Sequence, residues 1–454
     1  MIFQLLKNDD ECYPRVSNVV LLAFCGYVLI WYLQIGYRVP ALGAIRIEFI
    51  WALVLTAIAL LSPNVSTMTD NPFSGVVILL FLVIAIQVPF SLNPEYSWNV
   101  FFNRVVKFAF MAFFIVSFVK SPKGLIFFIG AFMLACIKMG QEGLVGQISG
   151  SMVWQNQGIM RLHGSTPMYT HPNSFSGMAL GTIPFIIYLF PIVPKIIKII
   201  LSVQLLFALN ILIHTGSRTG YVAFIVMLIF FVLKSQKKLF ALLVLVICIL
   251  ISTHFVNQQY FERFSTIFSG QEIEGNSIGA RIQILEDAVT IFKEHPFGVG
   301  VAAFPIAREA RFGRIQDTHN LYLEVATNLG IQGLIVFAAF IFIMLKTLKN
   351  ICRNLEKNKN AISKALEDKE MLSAKRSRLK KLHADSQLCI ALSTALTLFI
   401  LVRLALGLFG MDLYEIYWWF SLGLSIAIFR IHRKILDASD EFLAKLAGKR
   451  RYCH

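Results

Sequence analysis

The sequence predicts an all-α polytopic membrane protein, and two observations carry that class. Hydrophobic residues make up 57% of the 454-residue chain and charged residues only 15%, against roughly 45–50% and about 25% in soluble domains. The apolar residues also gather in runs that recur from end to end, and a helix needs about 20 of them to cross a bilayer. Hydrocarbon solvates no backbone N–H or C=O, so runs of this kind become helices. Length therefore translates into spans and loops of a single membrane domain, residues 1–454, and not into several soluble domains.

Taken in order, the runs predict about 12 transmembrane helices, at 17–37, 43–62, 73–91, 98–119, 122–139, 174–191, 196–213, 219–234, 238–256, 328–346, 387–409 and 413–431. Pro40, Pro63, Pro122, Pro172 and Gly410 punctuate their ends. No small-residue cleavage site follows the first run, which reads as a retained helix. Spans seven and eight are short and joined by His214–Arg218. The net charge of +16 would suggest nucleic acid in a soluble protein. Here its distribution gives a different reading. With the N-terminus inside, and Lys and Arg near span ends counted with the adjoining segments, 28 of the 42 fall inside, 10 fall outside, and Arg104, Lys107, Lys138 and Arg403 are left within spans. That asymmetry is the positive-inside pattern, so both termini are expected in the cytoplasm and no nucleic-acid partner is expected.

Two long segments then fall on the far side, 140–173 and 257–327, and one long segment falls inside, 347–386. The inside segment is rich in Lys, Arg and Glu and reads as a solvated helical hairpin or a disordered insert. The seven Cys are scattered and odd in number, which argues against a disulfide framework or a Cys-based zinc site. There is no internal repeat and no matched pair of interrupted helices, the usual sequence pointer to a transporter.

Several soluble-enzyme signatures are absent: a Walker loop, His-Glu-x-x-His, Gly-x-Ser-x-Gly and Asp-x-Asp. Glu272-Ile-Glu274 reads as a polar loop. What stands out is a set of basic residues in polar, Gly-rich settings on the far side. In His214-Thr-Gly-Ser-Arg218-Thr-Gly220, the neighbours of Arg218 favour a turn with close backbone approach over a snorkelling anchor. Asn276-Ser-Ile-Gly-Ala-Arg281 heads an amphipathic helix, with Asn276 or Ser277 as its cap and Ile282, Leu285, Ala288, Val289 and Phe292 on one face. Arg281 in the first turn opposes the helix dipole, and a bound anion would reconcile the two. That helix runs into the tight turn His295-Pro-Phe-Gly-Val-Gly300. In Asp317-Thr-His319-Asn320, Asp317 or Thr318 is placed to cap a helix beginning near His319, and a His at a helix N-terminus tends to stay neutral. A neutral imidazole can take a proton from a hydroxyl. Arg161-Leu-His163 through His171-Pro-Asn173 forms a fourth, weaker segment, more suited to a sugar or diphosphate than to a metal. Two guanidiniums can clamp a diphosphate, and they stabilise the charge that builds on it as it leaves, with no metal or other cofactor needed.

These residues resemble the O-antigen ligase and polymerase superfamily. The likeness lies in Ser217-Arg218-Thr-Gly-Tyr221, Gly279-Ala-Arg281 heading a helix that ends in Pro296-Phe-Gly-Val-Gly300, and Thr318-His319-Asn320 followed by Gly330-x-x-Gly333. Order, spacing and sidedness agree over roughly 160–350. The resemblance implies a glycosyltransferase fold of the C type in the bacterial inner membrane, with the active site facing the periplasm. It implies a glycan donor carried on undecaprenyl diphosphate and, for a ligase, transfer to lipid A–core by a metal-independent inverting reaction. Arg218 and Arg281 would bind the diphosphate, and His319 would activate or orient the acceptor. Arg161, His171, Arg314 and Asn320 are expected to line the site.

The related polymerase, with a growing glycan as acceptor, is the alternative; the His319 motif and the large loop between spans nine and ten favour the ligase. A transporter or flippase is the reading from a different class. It would rest on Arg46, Glu48, Arg104, Lys107 and Arg403, in or near spans.

Overall fold

The computed structural model describes residues 12–61, 70–156, 158–234, 277–367 and 372–450, with the single positions 238, 239, 243 and 260. It is an all-α membrane protein with one small hairpin. The first helices are α1 (Asn18–Tyr32), α2 (Ile47–Leu60), α3 (Ser74–Ile86), α4 (Pro94–Phe118) and α5 (Pro122–Ser149). An antiparallel pair follows, β1 (Val153–Asn156) and β2 (Ile159–Leu162). Then come α6 (Pro172–Leu189), α7 (Lys195–His214) and α8 (Arg218–Lys234). The chain continues with α9 (Ser277–Glu294), α10 (Phe304–Phe312), α11 (Leu321–Leu366), α12 (Ser373–Leu406) and α13 (Ile416–Arg450).

Among the described residues, five helices are long and apolar enough to cross a membrane: α4, α5, α7, α11 and α12. They fall on the expected spans four, five, seven, ten and eleven. Expected span nine lies outside the described residues apart from 238, 239 and 243. Of the prolines expected at span ends, Pro63 lies outside the described residues and Pro40 opens a short helix. Pro122 and Pro172 each take the first position of a helix, where a missing N–H costs nothing, behind the side-chain caps Ser121 and His171.

Helices α6 and α12 form the centre of the fold. Phe420 joins them to α5 and α13, 5.0 Å from Phe132 and 5.6 Å from Phe399 between ring centres. Arg403 of α12 is buried in this centre, lies 3.3 Å over the Tyr417 ring and donates to the Gly177 carbonyl at 2.9 Å. Gly177 and Gly181 leave the room it needs, since a Cβ there would meet the guanidinium at 3.3 and 3.1 Å. On the outer helices the pattern inverts: Leu53, Ile78, Ile199 and Leu206 are each more than half exposed. Such a surface is a liability in water and ordinary solvation in lipid.

Beyond a kink at Gly330, α11 runs on through residues 331–366, about 54 Å at 1.5 Å per residue and far longer than a bilayer requires. Its surplus packs with the start of α12 and with α13. Ile362, Leu379, Leu382 and Ala438 form a separate small core, braced by Asn358 Nδ2 donating to Ser439 Oγ at 3.0 Å. Tyr13 adds a hydrogen bond to the buried carboxylate of Asp385 at 2.8 Å. The described part of 347–386 is therefore a packed helical hairpin. Disorder, one of the two expectations, is overturned there because the hairpin has its own apolar contacts.

Candidate functional site

The site begins with a break in α11. Gly330 has φ 71° and ψ −168°, which ends regular helix after Leu329 and is open essentially only to glycine. A helix broken this way leaves carbonyls and an N–H without intrahelical partners. The turn 296–300 supplies them. Val299 N donates to Thr327 O at 2.8 Å, Gly300 N to Asn328 O at 3.1 Å, and Ile331 N to Pro296 O at 2.9 Å. The fit requires glycines on both sides: a Cβ on Gly298 would lie 2.6 Å from Asn328 O, and one on Gly330 only 2.4 Å from the Phe297 carbonyl carbon. The Pro-Phe-Gly-Val-Gly and Gly-x-x-Gly motifs are thus one joint, and it holds the end of α9 against the start of α11.

A second joint brings β2 to the turn between α7 and α8. Arg161 is buried, with Nε donating to Thr215 O at 2.8 Å and Nη2 to Asn173 Oδ1 at 2.9 Å. The same Asn173 oxygen accepts from Ser217 Oγ at 2.9 Å. Ser217 Oγ in turn accepts from Gly220 N at 3.1 Å, capping α8. Arg218, half-buried, is the first residue of that capped helix. Gly220 allows α8 to approach α6, since a Cβ there would meet Ser176 Oγ at 2.1 Å.

Four of the expected residues share one electrostatic field. Neighbouring protein strips water from the His171 imidazole and lowers its pKa, and the charges of Arg161 and Arg281, and of His319 when protonated, push the same way. His319 is lowered by burial first and then by Arg281, with Arg308 adding and Asp317 opposing. His319 is therefore a neutral imidazole at pH 7, beside cations. It is held in the left-handed region, φ 48°, which is strained for any residue but glycine. Such strain gathers at functional sites when the surroundings enforce it. Thr318 enforces it here: its Oγ1 accepts from Asn320 N at 3.3 Å and donates to Asn320 O at 3.0 Å.

Residues 203–338 match the family model described as O-antigen ligase. This stretch belongs to the O-antigen ligase superfamily. No curated protein matches the chain. The matched stretch contains Arg218, Arg281, Arg314, His319 and Asn320, together with Gly330 and Gly333; Arg161 and His171 precede it. The family supports a membrane enzyme of the O-antigen ligase or polymerase type.

Several expectations for these residues need correction. Helix α11 starts at Leu321, with Asn320 and not Asp317 or Thr318 as its cap. Asn320 Oδ1 accepts from Tyr322 N and Leu323 N, both at 3.0 Å, while Nδ2 donates to Leu408 O at 3.1 Å. Both ends of this side chain thus serve the fold. Arg281 is the fifth residue of α9, beyond the first turn, where the opposing dipole is already weak. Asn276, one of its two proposed caps, lies outside the described residues, as does the Ser277 side chain. The buried face of α9 is Ile284, Ala288 and Ile291, packed on Phe304 and Ala307, whereas Ile282 and Val289 are exposed. Two apolar stripes exist on this helix, and α10 covers only one. Asp287, on the covered side, accepts from the buried Arg308 at 2.8 Å and has Arg314 3.8 Å away. Arg314 therefore sits with this ion pair.

Two participants carry more than the sequence reading gave them, which was a segment end for Asn173 and a candidate cap for Asp317. Asn173 is the shared acceptor of Arg161 and Ser217; its only local signal is its place behind a Pro at a helix start. Asp317 lies in the field of His319 and Arg104, which lower its pKa against the larger effect of burial. Arg104 itself pairs with Glu415. It lies in a π-helical turn, Phe101–Val106, an irregularity common at functional positions.

Proposed function

We propose that this protein transfers a glycan from undecaprenyl diphosphate to lipid A–core on the periplasmic face of the bacterial inner membrane. In this reading the chain is a C-type glycosyltransferase of about twelve spans with cytoplasmic termini. Segments 140–173 and 257–327 form its periplasmic loops, and 347–386 is its cytoplasmic insert. Arg218 and Arg281 hold the diphosphate bidentately. His319 accepts the proton of the acceptor hydroxyl as its oxygen attacks the anomeric carbon from the face opposite the diphosphate. The new C–O bond forms as the bond to the diphosphate oxygen breaks, and undecaprenyl diphosphate departs with the electron pair. The guanidiniums stabilise the charge that develops there. The observation that carries the reading is the shared field of Arg281, Arg161, His171 and a neutral His319, in a chain whose matched stretch is of the O-antigen ligase superfamily.

The test is reconstitution in lipid with a glycan on undecaprenyl diphosphate, EDTA present, and lipid A–core either supplied or omitted. Transfer to lipid A–core, lost in His319→Ala, supports the ligase and its metal-independence. Longer glycans on the carrier without lipid A–core would instead assign polymerase activity. Absence of any glycosidic product from folded protein would overturn the transferase reading and favour transport.

A further inference from the structure

The β-hairpin beside Arg161 carries an aromatic surface that neither joint of the site uses. In the β1–β2 register Trp154 is directly opposite Arg161. Directly opposed residues in an antiparallel pair point to the same face, with Cβ atoms about 5 Å apart. The ladder continues as His163 N donates to Met152 O at 3.0 Å, so His163, two residues beyond Arg161, shares that face too. The Trp154 and His163 rings are 5.0 Å apart between centres and tilted by 35°. His163 Nδ1 lies 3.0 Å from Gly164 O, an atom that only accepts. That contact fixes the ring's orientation beside the indole and leaves Nε2 as its other polar atom. Trp154 remains 42% exposed. One hairpin face thus presents an indole braced by an imidazole and, beneath them, the Arg161 guanidinium that acts on His171.

We propose that Trp154 and His163 form a sugar-binding subsite for the lipid-linked glycan, in which a pyranose ring stacks on the indole. The inference rests on the transferase reading and adds where the sugar sits. Pyranose C–H groups carry partial positive charge that meets the negative face of an indole, while the ring's hydroxyls need acceptors and donors at the rim. Such a combination suits a carbohydrate better than a lipid tail. Met152 and Val153 precede Trp154, but Gln155 and Asn156 follow it and Ser149 and Ser151 lie just before, so the apolar run is far too short for a membrane anchor. Continuity with the cationic site decides the occupant. Arg161 bonds to Asn173, Asn173 N donates to His171 Nδ1 at 3.2 Å, and His171 lies in the field of His319. A glycan whose diphosphate is held by the arginines extends from there across neighbouring surface, and Trp154 is on that surface.

The experiment uses full-length protein in lipid and compares wild type with Trp154→Phe and Trp154→Ala. The probe is the repeat-unit oligosaccharide released from its carrier by mild acid, titrated to its solubility limit while tryptophan fluorescence is followed. Wild type gives a saturable change that is missing in Trp154→Phe. In the transfer assay Trp154→Ala raises KM for the lipid-linked glycan about tenfold with kcat little changed, and Trp154→Phe recovers most of the loss. A fluorescence change equal in both proteins, or none in either, overturns the subsite. Quenching of Trp154 by brominated lipid also overturns it, because the indole would then lie in the bilayer interface. The fluorescence arm needs no turnover, so an inactive wild type that still binds the oligosaccharide through Trp154 would refute the transferase reading and leave the subsite standing.

Discussion

Gly330→Ala is the sharpest test of how the site is assembled. The substitution places a methyl 2.4 Å from the Phe297 carbonyl carbon and 2.6 Å from its Cα, both backbone atoms that no rotamer change can move. It also forces a non-glycine residue to φ 71°, ψ −168°, at a cost of about 1–3 kcal/mol. Relief requires the 296–300 turn to withdraw, which removes three backbone hydrogen bonds worth roughly 1 kcal/mol each. The expected loss is about 5 kcal/mol of local stability. Gly313→Ala is the control. Its φ is 67° but nothing lies within 4 Å of a Cβ there, so it should cost only about 1 kcal/mol. Thermal unfolding in detergent and glycan transfer, read on both variants, check the difference. Gly330→Ala should lower Tm by several degrees more than Gly313→Ala and should abolish transfer, because α9 and Arg281 lose their anchor to the His319 segment. Equal effects of the two variants would refute the argument that the turn is docked in the helix break.

Asp317→Asn should move the acid limb of the pH–rate profile. His319 is active when neutral and its pKa is already below the ordinary value, so wild-type activity should fall only as pH drops through that depressed value. Removing the Asp317 charge, which opposes the depression, should carry the limb to still lower pH; an upward movement would contradict the assignment of His319 as base. Asn320→Ala should cost about 2 kcal/mol by stripping two N–H groups of their cap and Leu408 O of its donor, measurable as a lower Tm with or without substrate. Arg403→Ala should destabilise the protein by about 3 kcal/mol through the lost stacking on Tyr417 and the cavity left in the core. A transport role would instead leave Tm unchanged and abolish function, so Tm and activity measured together distinguish the two.

Much of this protein was legible in the sequence because the relevant physics is local. Backbone groups must pair within the membrane, so apolar runs become helices wherever they occur. Pro122 and Pro172 start helices because their fixed φ and missing N–H suit that position best. The polar settings of Arg218, Arg281 and His319 made them candidates for chemistry, and of these Arg281 lies close enough to depress the pKa of His319. Tertiary structure decided the rest, wherever two local solutions were equally good. Asp317, Thr318 and Asn320 can all cap a helix; Asn320 does so because Leu408 O fixes its amide and Thr318 closes the turn behind it. Helix α9 offers two apolar stripes, and the one buried is the one that α10 reaches. The spacing of Gly298 and Gly330 shows close packing in the sequence but not that each glycine makes room for the other's backbone. Arg403 looked like a charge awaiting a substrate; the Tyr417 ring on the next helix and the Gly177 carbonyl, far off in sequence, hold it inside the fold, although its Nε is left without a hydrogen bond. In each case the deciding partner lies on another element, and only the packed chain brings it within a few ångströms.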